Sequence, residues 1–556
     1  MGVMIDGGYS ILYIKWVDEF LPIGCLTSDS FSEEIEMLET TTRDNGGWKT
    51  STPTNQNYNI SFDGIFENTN FPSGDNTKIS LDRLRVLKRN RTLIEWKIIY
   101  NNSKLVDIGK GYLTSLSREN NIDEFISFSA NIEGYGSTST SFVGASITDF
   151  DFYTAVDLWF TNQALAESTY GLIGDWNVSA VTVMAQAFYP SRSGGSAINT
   201  FNEDISAWDT SSVTNMIYMF NQATSFNQPL NWDVSSVTTM GGMFNQATSF
   251  NQPLNWDTSS VTNMLKMFFS ATAFNQPLNW DVSSVTNMQS MFYGASAFNG
   301  TLTFSDTSSV TNMSGMFRSA TAFNQPLNWD VSSVANMSYM FSSATSFNQP
   351  LNWDVGSVTD MSYMFTSATS FNQPLTWDVS SVGNMSNMFN SATSFNQPLN
   401  WNTSSVGNMN GMFAYASSFD QPLNWNTSSV TLMLSMFLNA TSFNQPLTWD
   451  TSSVTTIYKM FYQAIAFDQP LNWDVSSVTT MQQTFQSVNF STTNYDLILV
   501  YWQNALQSVF PGGTGYTPNI SVSFNTTQYT GGSSAAIART SLINNFGWTI
   551  TDGGSI

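Results

Sequence analysis

Histidine is absent from this chain of 556 residues, cysteine occurs once, at Cys25, and charged side chains make up only 11% of it. The first two absences exclude a disulfide framework, a thiol or imidazole zinc site, and histidine-based catalysis. No stretch approaches the ~18 consecutive apolar residues that a membrane span needs, so no membrane insertion is predicted. The opening MGVMIDGGYSILYIKWVDEF places acids where an export signal has none, and Asp6 stands where a myristoylation pattern needs Ser or Thr. Synthesis and folding in a cytoplasm are therefore expected. Positive charge is also scarce, and unevenly spread. Residues 1–137 hold 19 acids and 13 bases, whereas 138–556 hold 22 acids and 5 bases. An acidic second part repels phosphate, which argues against nucleic-acid binding there.

What is abundant is repetition. Trp208, Trp232, Trp256, Trp280, Trp329, Trp353, Trp377, Trp401, Trp425, Trp449 and Trp473 recur every 24 residues, interrupted only where Phe304 replaces the ring and one extra residue follows it. A fixed period of this length predicts a solenoid, in which no unit buries its apolar face alone. One unit reads LNWDVSSVTTMGGMFNQATSFNQP from Leu230. Alternation of Leu230, Trp232 and Val234 predicts a short strand with one face buried. From Val237 the spacing changes to three or four, through Met240, Met243, Phe244 and Ala247. That predicts a helical turn, with Ser235 and Ser236 at its cap. Phe250 turns inward, and Asn251, Gln252 and Pro253 lead the chain back to the next strand. The strands are expected to stack as a parallel sheet on the concave face, about a dozen of them over roughly 55 Å at ~4.8 Å each.

WDVSSVTNM, the Met-Phe pair and FNQPLNW resemble the BspA-like leucine-rich repeat surface proteins, over about 150–556, with thirteen units counting an early one at Trp176. Within that span the sequence divides into an N-terminal cap with a first irregular repeat at 150–207, regular repeats at 208–490, and a C-terminal cap at 491–556. The resemblance implies a scaffold and does not supply a ligand.

The tryptophans share a face with Leu and Val and are read as core, against a sugar-stacking alternative; the Met-Phe pairs are read as core filler. The outward positions are the candidate contact surface. Asn231, Asn255, Asn279, Asn328, Asn352, Asn400, Asn424 and Asn472 precede the ring, and Asp233, Asp257, Asp281, Asp330, Asp354, Asp378, Asp450 and Asp474 follow it. Alternation directs both rows to solvent. The carboxylates can cap the following turn, contact a polymeric ligand such as a glycan, or hold calcium. Asn312, Asn336 and Asn384 head glycosylation triplets and are read as accidental. A glycan-active enzyme needs one differentiated carboxylate pair, and these rows are uniform. No catalytic, cofactor-binding or metal-binding residue is predicted, and no cofactor.

Residues 1–137 share nothing with the repeat. TLIEWKIIY, a turn at Asn101–Ser103 and KLVDIGKGYLTSL predict a hairpin; NYNISFDGIFE and EFISFSANIEGYG predict further strands, the latter burying Ile126, Phe128, Ala130 and Ile132. SLDRLRVLKRN predicts one helix, capped by Ser80, with Leu81, Leu84 and Leu87 on its face. The sum is a β-rich α+β domain, a sandwich or partial barrel. These segments, with LPIGCLTSDSFSEEIEMLETTTRDNGGWKTSTPTNQNYNISFDGIFE before them, resemble the major tail tube protein of long-tailed bacteriophages. The resemblance implies homo-hexameric rings stacked into a tube, other tail proteins as partners, and DNA passing through the lumen without specific binding. The basic run Lys78, Arg83, Arg85, Lys88, Arg89 and Arg91 is read as subunit contacts or a solvated helix face.

STSTSFVGASITDF, from Ser137, is read as a linker at 138–149. A 415-residue repeat part has a radius of gyration of about 22 Å, too large for six copies to share a lumen. The expectation is a structural virion protein assembled in the host cytoplasm, located in the tail, with an external repeat decoration touching host surface glycans or proteins. The alternative is a bacterial cell-surface adhesin.

Overall fold

In a computed structural model the described residues are 10–16, 19–23, 26–39, 51–67, 81–100, 105–120, 125–135, 139–142, 146–190, 192 and 195–556. Lys78, Ser80, Cys25 and the turn at 101–104 lie outside them. Two units are separable: 1–147 with 163–177, and 148–162 with 178–556.

Strict alternation puts Leu12, Ile14, Tyr58, Ile60, Phe62, Ile94, Trp96, Ile98, Phe128, Ala130 and Ile132 on one face of the first unit, all buried. The strands that carry them are β1 (Ser10–Trp16), β2 (Glu19–Pro22), β3 (Leu26–Glu39), β4 (Ser51–Glu67), β5 (Leu93–Tyr100), β6 (Leu105–Asn120), β7 (Phe125–Gly134) and β8 (Ser139–Phe142). They form one antiparallel sheet in the order β2-β1-β5-β6-β7-β4-β3. The expected hairpin is β5–β6, closing at Tyr100↔Leu105. Ser139–Phe142, read in the sequence as linker, pairs with the first part of β6, because β7 reaches only Gly111 and leaves that stretch available. Helix α1 (Leu81–Arg89) buries Leu84 and Leu87. Trp96 packs edge-on against Tyr58 at 5.4 Å, and Gly109 lets it in: a Cβ there would stand 2.4 Å from the indole. Where the sequence predicted a sandwich or partial barrel, the described strands form one open sheet that ends at β2 and β3, with no second sheet packed on it and no closure among the described residues.

The repeats bury the residues expected of them. Leu230, Trp232, Val234, Val237, Met240, Met243, Phe244, Ala247 and Phe250 are all at most 5% exposed, and their apolar counterparts are buried too, except Phe304, which is half-buried. Three aromatic columns run through the stack. Rings equivalent to Phe244 are 5.4–5.8 Å apart, those equivalent to Phe250 are 5.7–6.1 Å apart, and tryptophan pairs such as Trp208–Trp232 and those from Trp353 through Trp473 are 6.2–6.4 Å apart. Packing of near-parallel rings thus continues across every junction.

The local structure differs from expectation in two respects. No helix forms at Val237–Ala247. Met240, Gly242, Phe244 and Gln246 instead donate their N–H groups to Asn263, Leu265, Met267 and Phe269 of the next unit, at 2.6–3.2 Å, while Met243, Asn245 and Ala247 bond three residues back. A stretch this short, rich in Thr, Gly and Asn, is a poor helix in isolation, whereas a neighbouring copy offers acceptors at fixed spacing. Nor is Leu230–Val234 a strand; the parallel bridges that link the units fall at Asn215, Thr239, Asn263 and Asn287. What joins the Leu-Trp-Val segments is the indole: Trp256 Nε1 donates to the Leu230 carbonyl at 3.0 Å, and Trp353, Trp401 and Trp473 do likewise one unit further back in each case.

This bonding imposes left-handed backbone at two positions per unit. Tyr218, Gln222, Gln246, Lys266, Ser270, Tyr339, Ser343 and Gly242 all have φ between 53° and 63°. Among the described residues none of the positive-φ positions carries Val, Ile or Thr, the types that tolerate this conformation least. At Gly242 a side chain would also collide with the Tyr218 ring.

Helices close the stack. α2 (Asp149–Thr161) buries Phe152, Ala155, Val156 and Trp159, and Asp149 accepts from Thr182 and Val183 of the first turn. α3 (Thr492–Val509) buries Tyr495, Ile498, Leu499, Trp502 and Leu506 at the other end. A bidentate pair, Arg192 with Asp157, fastens the first; at the other end Arg539 bonds Asp552 in the same way, and Asp552 Oδ2 also accepts from the Tyr495 hydroxyl of the closing helix.

Two outcomes follow for denaturant unfolding. Gln246→Val destabilises by about 1–2 kcal/mol, the cost of left-handed backbone in a residue with a branched Cβ, whereas Gln246→Gly is neutral or stabilising. Trp256→Phe leaves the buried Leu230 carbonyl without its donor and costs about 1–3 kcal/mol.

Candidate functional site

The predicted rows stand where alternation put them. Asn231, Asn255, Asn279, Asn328, Asn352, Asn400, Asn424 and Asn472 are exposed, as are Asp233, Asp257, Asp330, Asp354, Asp378 and Asp450; Asp281 and Asp474 are half-buried. The tryptophans between them are 1–7% exposed, so their faces are spent on each other and on the core.

Each carboxylate of the row is already engaged on one side. Oδ1 of Asp233, Asp257, Asp281, Asp330, Asp354, Asp378, Asp450 and Asp474 accepts the backbone N–H two residues on, at 2.9–3.1 Å. In Asp233, Asp257 and Asp450 the serine hydroxyl there donates as well, at 2.6–2.7 Å. These bonds favour the charged form. The Asp233, Asp330, Asp378 and Asp450 carboxyls lie below the usual range, held there first by the serine hydroxyl and then by its N–H. In Asp281 the Ser283 N–H is the larger cause. Among the described residues no three acidic or thiol side chains gather as a metal-ion cluster. Chemically, the row offers hydrogen-bond acceptors at a spacing of one unit.

Sequence reasoning missed two further rows. The recurring Asn-Gln-Pro is more than a turn: Asn227 Oδ1 accepts from Asn251 N at 2.9 Å, Asn251 Oδ1 from Asn275 N at 2.9 Å, and Gln252 Nε2 reaches back to the Asn227 carbonyl at 3.0 Å. The side-chain oxygen accepts from the backbone N–H of the next copy, so the row continues through Asp420, whose Oδ1 accepts from Asn444 N at 2.9 Å. The second row lies on the stacked turns. Phe269 stacks on Tyr293 at 4.5 Å, Arg318 sits 5.2 Å from Tyr293 and 4.6 Å from Tyr339, and Tyr339 stacks on Tyr363 at 4.5 Å. Burial first, then the neighbouring Tyr363, raises the Tyr339 hydroxyl above its ordinary value. The signal was available as residues in equivalent register, unit after unit. Asn312, Asn336 and Asn384, by contrast, sit at the bridging position and accept from the N–H two residues on.

On the sheet unit, Arg85 pairs with Asp82 at 3.1 Å, and Arg89 and Arg91 are exposed. Glu95 is lowered by hydrogen bonds from Lys15 and then Lys110, at 2.8 and 3.1 Å.

The family described as Mycoplasma protein of unknown function, DUF285, matches residues 156–279, 230–328, 278–376, 300–401 and 399–502. No curated protein matches. Solved structures similar to part of the chain include the tail of an empty GTA particle with C6 symmetry, at 18% identity over 24% of this chain and 94% of that one, with a TM-score of 0.20. The virion of a native gene transfer agent particle matches at 20% identity over 23% and 95%, TM-score 0.19. The SPP1 tail tube matches at 10% identity over 24% and 77%, TM-score 0.19.

The depressed carboxyls fix the sign of a pH effect. A folded pKa below the unfolded one contributes stability that is present above the unfolded value and lost as pH falls through the folded one. The thermal midpoint is therefore expected to be flat above about pH 5 and to fall below about pH 4. A midpoint that rises on acidification would contradict this.

Proposed function

The chain belongs, through residues 156–502, to the DUF285 family, and from that premise we propose that it is a structural virion protein: a bacteriophage major tail tube subunit carrying an external adhesive repeat array. The observation that supports the assembling half is the open sheet. Strands β3 and β2 each have a strand neighbour on one side only among the described residues, and β3 runs for 14 residues. An unpaired edge of that length invites association, and closure into a ring of like subunits consumes it. The order of strands and helix follows the segments on which the tail tube resemblance rests. The partners are copies of the same chain and other tail proteins, DNA passes through without being gripped, and no residue acts as a catalyst.

The displaying half is supported by uniformity. Rows of identical exposed groups at one-unit spacing suit a repetitive ligand such as a host-surface glycan, and weak contacts gain from many copies. The repeat array is assigned to the outside because six copies of it exceed any lumen that passes a duplex.

The alternative, a bacterial surface adhesin, is favoured by the family match of the repeats alone. Negative-stain microscopy of the purified full chain separates the two. Hollow tubes with radial projections are expected; monodisperse monomers under every assembly condition, with the intact chain found on cells lacking phage particles, would establish the adhesin instead.

A further inference from the structure

The unit that breaks the tryptophan period also breaks the hydrogen bonding, and the break opens a cleft. In the regular units the indole N–H donates to the leucine carbonyl one unit earlier, as for Trp280 to Leu254 and Trp353 to Leu327. Phe304 has no such donor. The Leu278 carbonyl, which a tryptophan would have used, is taken by Thr303 N–H at 3.0 Å; Leu278 N–H donates to the Thr301 carbonyl at 2.9 Å, and Ser305 N–H to the Trp280 carbonyl at 3.2 Å. The extra residue is thus absorbed in a short parallel pairing with the preceding unit, Leu278↔Leu302.

The following unit bears the consequence. Trp329 is buried, and its indole N–H has no hydrogen-bond partner. Gly300 and Thr301 stand where other units have Gln and Pro, and a Cβ at Gly300 would come within 2.4 Å of the Gln276 carbonyl. Between the two units lies a cleft of about 320 Å³, lined by Thr301, Thr303, Phe304, Gln325, Asn328 and Trp329 among others. Its volume falls at the small end of the range for ligand sites, ~300–1,000 Å³.

We propose that this cleft is a binding site for a single neutral hexopyranose ring of a glycan. Its lining has no charged side chain, which disfavours phosphate, carboxylate and metal ligands. It combines hydroxyls and amides with one half-exposed aromatic ring, Phe304, stacked on Trp329 at 5.4 Å. Neutral donors and acceptors around an aromatic face match a ring with hydroxyls at its rim and C–H groups on its faces. A ring oxygen or hydroxyl that reaches the indole satisfies a donor that is otherwise costly to bury. The proposal rests on the display function for the reason a glycan is met, and adds that one unit, rather than the uniform rows, supplies the selective contact.

The test is saturation-transfer NMR on the full chain with methyl α-glucopyranoside, methyl α-galactopyranoside and methyl α-mannopyranoside. Binding of at least one is expected, weakened about tenfold or more by Trp329→Phe. A regularised unit, with Gly300→Gln, Thr301→Pro, Phe304→Trp and Ser305 deleted, should abolish it. Thermal unfolding supplies a second readout: Trp329→Phe removes an unpartnered donor and leaves the midpoint unchanged or higher, whereas Trp353→Phe breaks a satisfied bond and lowers it. Binding that persists in the regularised chain, or none by the full chain, overturns the site even where tubes form. Binding that follows this pattern in a chain that never forms tubes upholds the site and rejects the virion function.

Discussion

The backbone hydrogen bonds passed from one unit to the next at Met240, Gly242, Phe244 and Gln246 are the constraint on which the repeat array depends. They bind each residue to the one just before its counterpart in the next unit, 23 positions away, rather than to its neighbours in sequence. Ring columns are a consequence, because a phenylalanine held at fixed register stands over another phenylalanine. So are the two left-handed residues per unit, which turn alternate N–H groups to one side. The aromatic packing then supplies the burial that a loop without helix or strand could not gain alone.

The same constraint explains the composition. A side chain that meets its own copy about 5 Å away must tolerate itself, and two like charges at that distance repel by roughly 0.8 kcal/mol even in bulk water. Asparagine, serine and threonine bear the meeting well, since each is neutral and can bond the backbone of its copy. Hence the Asn227–Asn251–Asn275 row and the threonine row in which Thr238 Oγ1 donates to Thr214 O and Thr262 Oγ1 to Thr238 O. Aspartate is admitted where its charge is stabilised locally, by the turn that Asp233 or Asp330 closes upon itself.

Burial was legible in the sequence and bonding was not. Spacing placed Trp232, Met240 and Phe244 inside and Asn231 and Asp233 outside, because orientation depends on the period alone. The same spacing misassigned Val237–Ala247 as helix, since apolar residues three and four apart serve equally well in a turn whose partner is another copy. In the sheet unit, β5 and β6 were legible from alternation, whereas β3 was not, its acidic LTSDSFSEEIEMLE carrying little apolar rhythm. The break at Phe304 was visible, yet its effect on Trp329 arises one unit later, where no local pattern points.

The helices at the two ends of the stack differ in sequence from the units they cover, and their rings pack on the terminal units, Phe152 on Trp208 and Trp502 on Phe485. Length is consequently a countable property. Adding or deleting whole units leaves both closures intact and changes the reach in steps of about 4.8 Å. Near-identical coding segments of this kind recombine readily with one another, so a lineage could lengthen or shorten its surface by copy number without redesigning a single fold element.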